Sequence, residues 1–175
     1  SKDWFDCSNW QTLEVPDETV DVTVNTANAT KNVEIFATSS KAPTYGSIAK
    51  CKNLTISDKE VNLQGSANNK LEVHGNLILI NPGILDMSDA SNSTPDGQLY
   101  LYGNWTNYQE TQFKQGNSTV HFVGTSPQTV FCTDKTEIFF NVNLANANNP
   151  FTTNSFSSDL IAEGSLTLSN DSDLT

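Results

Sequence analysis

The sequence predicts an all-β fold, a right-handed parallel β-helix of six or more coils, on three observations. A short phrase recurs: Leu71-Glu72-Val73-His74-Gly75-Asn76-Leu77 returns as Leu99-Tyr100-Leu101-Tyr102-Gly103-Asn104-Trp105 and as Leu160-Ile161-Ala162-Glu163-Gly164-Ser165-Leu166. Each copy is an alternating strand closed by Gly and a small polar residue, and self-similarity of this kind marks stacked units. Strand starts at Leu54, Leu71, Leu99, Val120, Val142 and Leu160 follow at spacings of 17, 28, 21, 22 and 18 residues, which suit one coil with loop insertions. Asn, Ser and Thr make up roughly a third of the 175 residues, a bias toward strands joined by hydrogen-bonding turns. An antiparallel β-sandwich is the alternative, but a sandwich has no reason to repeat one corner.

Taken in order, residues 1–52 read as a capping region with the first strands. Trp4, Trp10 and Pro16 precede Val20-Asp21-Val22-Thr23-Val24, an alternating strand. Two Trp residues near one end of an array fit a Trp-containing cap over the first rung. Residues 38–50, with Pro43 and Gly46, read as a loop. Residues 53–175 form the repeat region. Leu54, Leu71, Leu99, Val120, Val142 and Leu160 make one expected inward ladder. Ile56, Val73, Leu101, Phe122, Leu144 and Ala162 make its neighbour. Secondary strands are expected at Val61-Asn62-Leu63, Leu77-Ile78-Leu79-Ile80, Ile84-Leu85-Asp86-Met87 and Gln128-Thr129-Val130-Phe131. Residues 169–175 read as a further turn, and a bare last rung would expose a strand edge, so the repeat is expected to continue past residue 175.

Charge and composition remove several functions. The formal charge is −11, the pI is about 4.3, and all nine basic residues are Lys. Without Arg there is no bidentate fork for phosphate, and the overall field repels polyanions, which argues against nucleic acid. No apolar run reaches membrane-spanning length, and Ser1 does not open a signal-peptide pattern. Cys7, Cys51 and Cys132 lie too far apart for zinc spacings. One disulfide plus one free thiol fits a secreted protein, with Cys7–Cys51 the preferred pair; three unpaired cysteines fit equally well.

The order of several motifs resembles surface proteins of Bacteroidetes. Asp3-Trp4 through Asn9-Trp10, Val15-Pro16 and Asp21-Val22-Thr23-Val24 resemble their tryptophan-rich opening. Cys51-Lys52-Asn53-Leu54-Thr55-Ile56, Gly103-Asn104-Trp105-Thr106-Asn107, Ser118-Thr119-Val120-His121-Phe122-Val123-Gly124, Gln128-Thr129-Val130 and Phe139-Phe140-Asn141-Val142-Asn143-Leu144 continue the likeness over roughly residues 3–145. Such proteins include large adhesins and gliding-associated surface proteins exported by type IX secretion. The resemblance implies a secreted or cell-surface stalk or adhesive module and supplies no catalytic residues. The sorting domain that usually ends such proteins is not evident here.

The candidate site is an outward face. In the expected register Thr55, Glu72, Tyr100, His121 and Asn143 form one column beside Ser57, His74, Tyr102 and Val123. Tyr100 and Tyr102, flanked by Glu72, His74 and His121, would form a platform for sugar rings or a partner protein. An alternative is cross-strand packing beneath a long loop, such as residues 86–98. A polysaccharide lyase or hydrolase would use Glu72 and His74, but acid–base work also needs a partner group and charge stabilisation that the Arg-free chain does not offer. A carbohydrate-binding sandwich is a third reading. Asp86, Asp89, Asn92 and Asp96 offer calcium only a weak site, since Asp/Asn turns explain them; Asp171 and Asp173 offer less. Asn28, Asn53, Asn92, Asn104, Asn117 and Asn170 head Asn-X-Ser/Thr sequons, as an Asn-rich chain produces by chance. The expectation is therefore a non-catalytic spacer and contact module without cofactor. It would face a glycan, another surface ligand, or secretion and motility machinery.

Overall fold

The computed structural model describes residues 2–25, 27, 31–45, 47–63, 66–88, 96–109, 112–133, 136–145, 150–153, 159–168 and 173–174. After β1 (Lys2–Asp3), the chain winds in turns of three short strands. The first turn is β2 (Val22–Val24), β3 (Val33–Glu34) and β4 (Ala49–Cys51). The second is β5 (Leu54–Ile56), β6 (Glu60–Asn62) and β7 (Lys70–Val73). The third is β8 (Leu77–Leu79), β9 (Ile84–Asp86) and β10 (Gln98–Leu101), and the fourth is β11 (Trp105–Asn107), β12 (Phe113–Lys114) and β13 (Thr119–Phe122). Beyond them come β14 (Gln128–Cys132), β15 (Thr136–Leu144), β16 (Pro150–Thr153), β17 (Asp159–Leu168) and β18 (Asp173–Leu174).

Like strands of successive turns pair in parallel, giving three faces. The first face runs β1-β3-β6-β9-β12, the second β2-β5-β8-β11-β14-β16-β18, and the third β4-β7-β10-β13-β15-β17. This is a parallel β-solenoid. The sandwich alternative is excluded, because the strand pairs among the described residues are parallel. The expected six or more coils are corrected to about four. Beyond β13 the described strands supply only the second and third faces, so no further three-sided turn closes. No sheet breaks at residue 52: β2, β3 and β4 already carry the register of the later turns.

The core is a set of ladders. On the third face Ala49, Leu71, Leu99, Val120 and Val142 lie in register, as do Cys51, Val73, Leu101, Phe122 and Leu144. On the second face Val22, Leu54, Leu77, Trp105 and Val130 stack. All of these are buried, and alternation along each strand puts the intervening polar residues outside. Four expected ladder members are corrected. Leu54 and Ile56 belong to the second face, and Ala49 and Cys51 fill their places on the third. Leu160 and Ala162 pair with Glu137 and Phe139, and after a register shift Leu166 and Leu168 lie over Val142 and Leu144. Toward the carboxy-terminal turns the interior holds Trp105, Phe113, Phe122 and Phe139 in edge-on and tilted contacts 4.8–5.9 Å apart. Glu137 is buried among them, accepting from Trp105 Nε1 at 2.7 Å and Asn107 Nδ2 at 2.9 Å.

The repeated corner has a physical cause. Asn53 Oδ1 accepts from Asn76 N, Asn76 Oδ1 from Asn104 N, and Asn104 Oδ1 from Thr129 N, at 2.7, 2.9 and 2.9 Å. Each asparagine thus satisfies the peptide of the next turn where the chain passes from third face to second, a bend that would otherwise strand a backbone donor. The glycines before Asn76 and Asn104 are there for space: a Cβ on Gly103 would lie 2.4 Å from Gly75 O. Gln128 closes the series, accepting from Gly124 N and donating to Leu101 O and Gly103 O.

The expected Cys7–Cys51 disulfide is not formed, and none of the three cysteines is in a disulfide. Cys51 points into the core, where burial pushes its thiol far up, while its neighbour Lys50 faces outward. At the amino-terminal end Trp4 is fully buried, and Trp10 packs edge-on against it at 4.9 Å and donates from Nε1 to Trp4 O.

Candidate functional site

The outward side of the third face gathers the expected site residues. Parallel register sets Lys50, Glu72, Tyr100, His121 and Asn143 in one column, rung upon rung. Lys50 takes the position expected for Thr55. It lies in a stretch expected to be loop, where Ala49 and Cys51 hide a strand that Val or Ile would have advertised. The second column runs through the first residue after each strand. His74 N donates to Cys51 O, Tyr102 N to Val73 O and Val123 N to Leu101 O. Lys52, not Ser57, therefore precedes His74 in that column.

Side chains along the columns touch one another. Tyr100 stacks on His121 with centroids 4.3 Å apart and planes 2° apart, and His74 stacks on Tyr102 at 4.4 Å and 9°. Glu72 Oε2 accepts from His74 Nε2 at 3.2 Å and lies 3.4 Å from Lys50 Nζ, which is 3.8 Å from Glu18. Tyr100 donates to Gln98 Oε1 at 2.8 Å, and Asn143 Nδ2 donates to His121 Nδ1 at 3.2 Å. The two tyrosines therefore do not offer both flat faces to solvent. One face of each ring is covered by a histidine, because rings one rung apart sit near van der Waals separation. What the strip presents is edges: two phenol groups, a carboxylate, an imidazole and an ammonium.

Burial against neighbours shifts these groups. Desolvation, then the Glu72 charge, raises the Tyr100 and Tyr102 hydroxyls above the ordinary phenol range, so both stay protonated donors. Burial, with Lys70 nearby, holds His121 below the ordinary imidazole value. With Asn143 donating to Nδ1, its proton sits on Nε2, a buried atom with no hydrogen-bond partner among the described residues.

The other candidates fall elsewhere. Asp86 is buried, accepts from Ser88 N and Oγ, and holds Lys114 Nζ at 2.9 Å. Asp96 is buried and accepts from Asn117 N. Asp89, Asn92 and Asp171 lie outside the described residues, as do sequon residues Asn28 and Asn170; of Asp173 only the backbone is described. Among the described residues, no three His, Cys, Asp or Glu side chains converge as metal ligands. Asn53 and Asn104 spend their side chains on the corner ladder. No described helix is long and apolar enough to cross a membrane. No family model matches the chain, and neither a curated protein nor a solved structure matches it.

Proposed function

We propose that this chain is a non-catalytic spacer and contact module of a secreted or surface-exposed bacterial adhesin, with the strip on its third face as the contact surface. The observation that carries the reading is the paired stacking of Tyr100 on His121 and of Tyr102 on His74, beside Lys50 and Glu72. Side chains fixed on rigid strands lose little entropy when a ligand arrives, and tyrosine edges with mixed charge suit recognition through hydrogen bonds. Glycan hydroxyls or polar groups of a partner protein fit such a strip. A single carboxylate–imidazole pair without a second acid or a guanidinium is poorly equipped for glycoside chemistry, which favours contact over turnover. The likeness to Bacteroidetes surface proteins supports the setting, including export by type IX secretion and a role beside gliding machinery. The segment around Trp4 and Trp10 acts in this reading as the cap that shields the first turn.

Binding to a glycan array and to intact bacterial cells tests the proposal, with Tyr100→Ala/Tyr102→Ala compared against Ile78→Ala/Thr106→Ala on the second face. Saturable binding lost only in the tyrosine variant, with circular dichroism unchanged, supports it. Binding that survives the tyrosine variant moves the contact surface elsewhere. A folded domain that binds nothing leaves only the spacer.

A further inference from the structure

The second column of the third-face strip loses its rings after Tyr102. It runs Lys52, His74, Tyr102, Val123 and Ala145, one rung at a time, since Ala145 N donates to Phe122 O as Val123 N does to Leu101 O. His74 covers one face of Tyr102 with the two planes 9° apart, so the ring normal follows the column. The other face of Tyr102 therefore looks toward Val123. A valine ends at Cγ, far short of a phenol ring on the neighbouring rung about 4.8 Å away. The outer part of that face stands clear, and Tyr102, Val123 and Ala145 are each only partly buried. Tyr100 has no such gap, because His121 covers one face and the longer Glu72 side chain occupies the rung opposite.

Val123 and Ala145 thus make a low apolar floor two rungs long, roughly 10 Å, with the Tyr102 ring as its end wall. His121 and Asn143 stand along one side on the same two rungs, bonded to each other at 3.2 Å. The outward positions of these rungs are Thr119, His121, Val123, Asn141, Asn143 and Ala145. His121 is the one titratable group among them, and burial keeps it neutral at pH 7. Lys50, Lys52, Lys70 and Glu72 all belong to the two rungs before Tyr102. The recess is therefore an uncharged step in a strip whose charges lie to one end.

Resting on the reading of this strip as the contact surface, we propose that the recess binds one neutral pyranose ring of a glycan. The sugar stacks its C–H face on the open face of Tyr102 and takes the next place in the ring column. His74 braces Tyr102 from behind, so the wall is fixed before the sugar arrives. An apolar floor beside a polar His121–Asn143 flank suits a ring with one apolar face and a rim of hydroxyls. A uronate or sulfated sugar would bring negative charge to a border with no cation, on a chain of net charge −11. An aromatic side chain of a partner protein would cover the floor but make nothing of the polar flank.

The probes are neutral tetrasaccharides of glucose, galactose and mannose, each beside its uronate counterpart, titrated into the full chain by calorimetry. Methyl NMR signals of Val123 and Ala145 give position. The proposal predicts saturable binding of at least one neutral member and of no uronate, with both methyl signals moved and those of Ile78 on the second face unmoved. Val123→Phe supplies the absent ring from the protein itself and should weaken binding about tenfold or more. Val123→Thr keeps the floor low and should leave binding nearly unchanged; circular dichroism checks the fold of both variants. Binding that is lost in Tyr100→Ala/Tyr102→Ala yet indifferent to Val123→Phe would overturn the recess and leave the strip as contact surface. Equal binding of the uronates, or displacement of the sugar by a capped phenylalanine peptide, would also overturn it. If no neutral member binds, the recess is overturned; if intact bacterial cells fail to bind as well, the contact reading falls with it.

Discussion

His121 shows what a position in a column does to one side chain. Its ring is sandwiched into the strip by Tyr100, Asn143 occupies one nitrogen, and burial disfavours its charged form. Because the folded state holds the proton less well than the unfolded chain, the unfolded chain is protonated first as pH falls below about 6.5. Stability is thus fully present above that pH and declines below it. Thermal melts from pH 7.5 to 5.5 should show this decline in the wild type and a smaller one in His121→Gln; parallel curves would remove His121 as the source. Gly103 makes a different demand. A methyl group there meets Gly75 O at 2.4 Å, backbone that cannot give way like a side chain. Gly103→Ala should cost about 1–3 kcal/mol in urea unfolding, the range of overpacking. The choice of Glu72, His74, Tyr100, Tyr102 and His121 as one surface was legible in the sequence, since alternation puts them outside. Their ring-on-ring stacking was not, because alternation fixes the side of a sheet and not which side chain lies one rung away. That blindness made the tyrosines look like open platforms.

At the level of elements, the corner is the most informative unit. Asn53, Asn76 and Asn104 each end the passage from third face to second, and each feeds the peptide one turn on. Asn76→Ala would leave the Asn104 N–H without its acceptor, while the backbone N–H at position 76 still donates to Asn53 Oδ1. A loss of about 1–3 kcal/mol is expected for such an orphaned group, with Asn76→Asp smaller than Asn76→Ala; an unchanged midpoint would show that water replaces the ladder. This corner also explains the misplaced strand. Leu54-Thr55-Ile56 has the same alternation as Leu71-Glu72-Val73, so pattern alone aligns them. The asparagine before Leu54 is the better guide, because Leu77 and Trp105 also follow a corner asparagine and all three share the second face. Strands of two or three residues such as β1, β3, β4 and β12 escaped notice because so short a run contains no period to detect. They exist through pairing with longer neighbours.

For the whole molecule, parallel stacking makes stability a sum over turns and their interfaces. Leu99 lies in the middle of a continuous ladder and is fully buried, whereas Leu166 on the last strand of the third face is 46% exposed. Leu99→Ala should lower unfolding free energy by about 2–5 kcal/mol, and Leu166→Ala by about 0.5 kcal/mol or less. Equal losses would argue against a stacked core. The parallel solenoid was legible from the recurring phrase and its spacing. The coil count was not, because six similar strands on one face do not reveal how many turns close on three sides. Residues 21 to 28 apart in sequence lie on adjacent rungs of one outward strip, and the proposed function is that this strip makes contact. NMR of the histidine side chains tests it most directly. Stacked tyrosines should shift the His74 and His121 ring protons upfield, Tyr100→Leu/Tyr102→Leu should return them to ordinary positions, and a bound glycan or surface ligand should move these same signals. Unshifted imidazoles, or a ligand that perturbs another face and leaves both histidines unmoved, would contradict it.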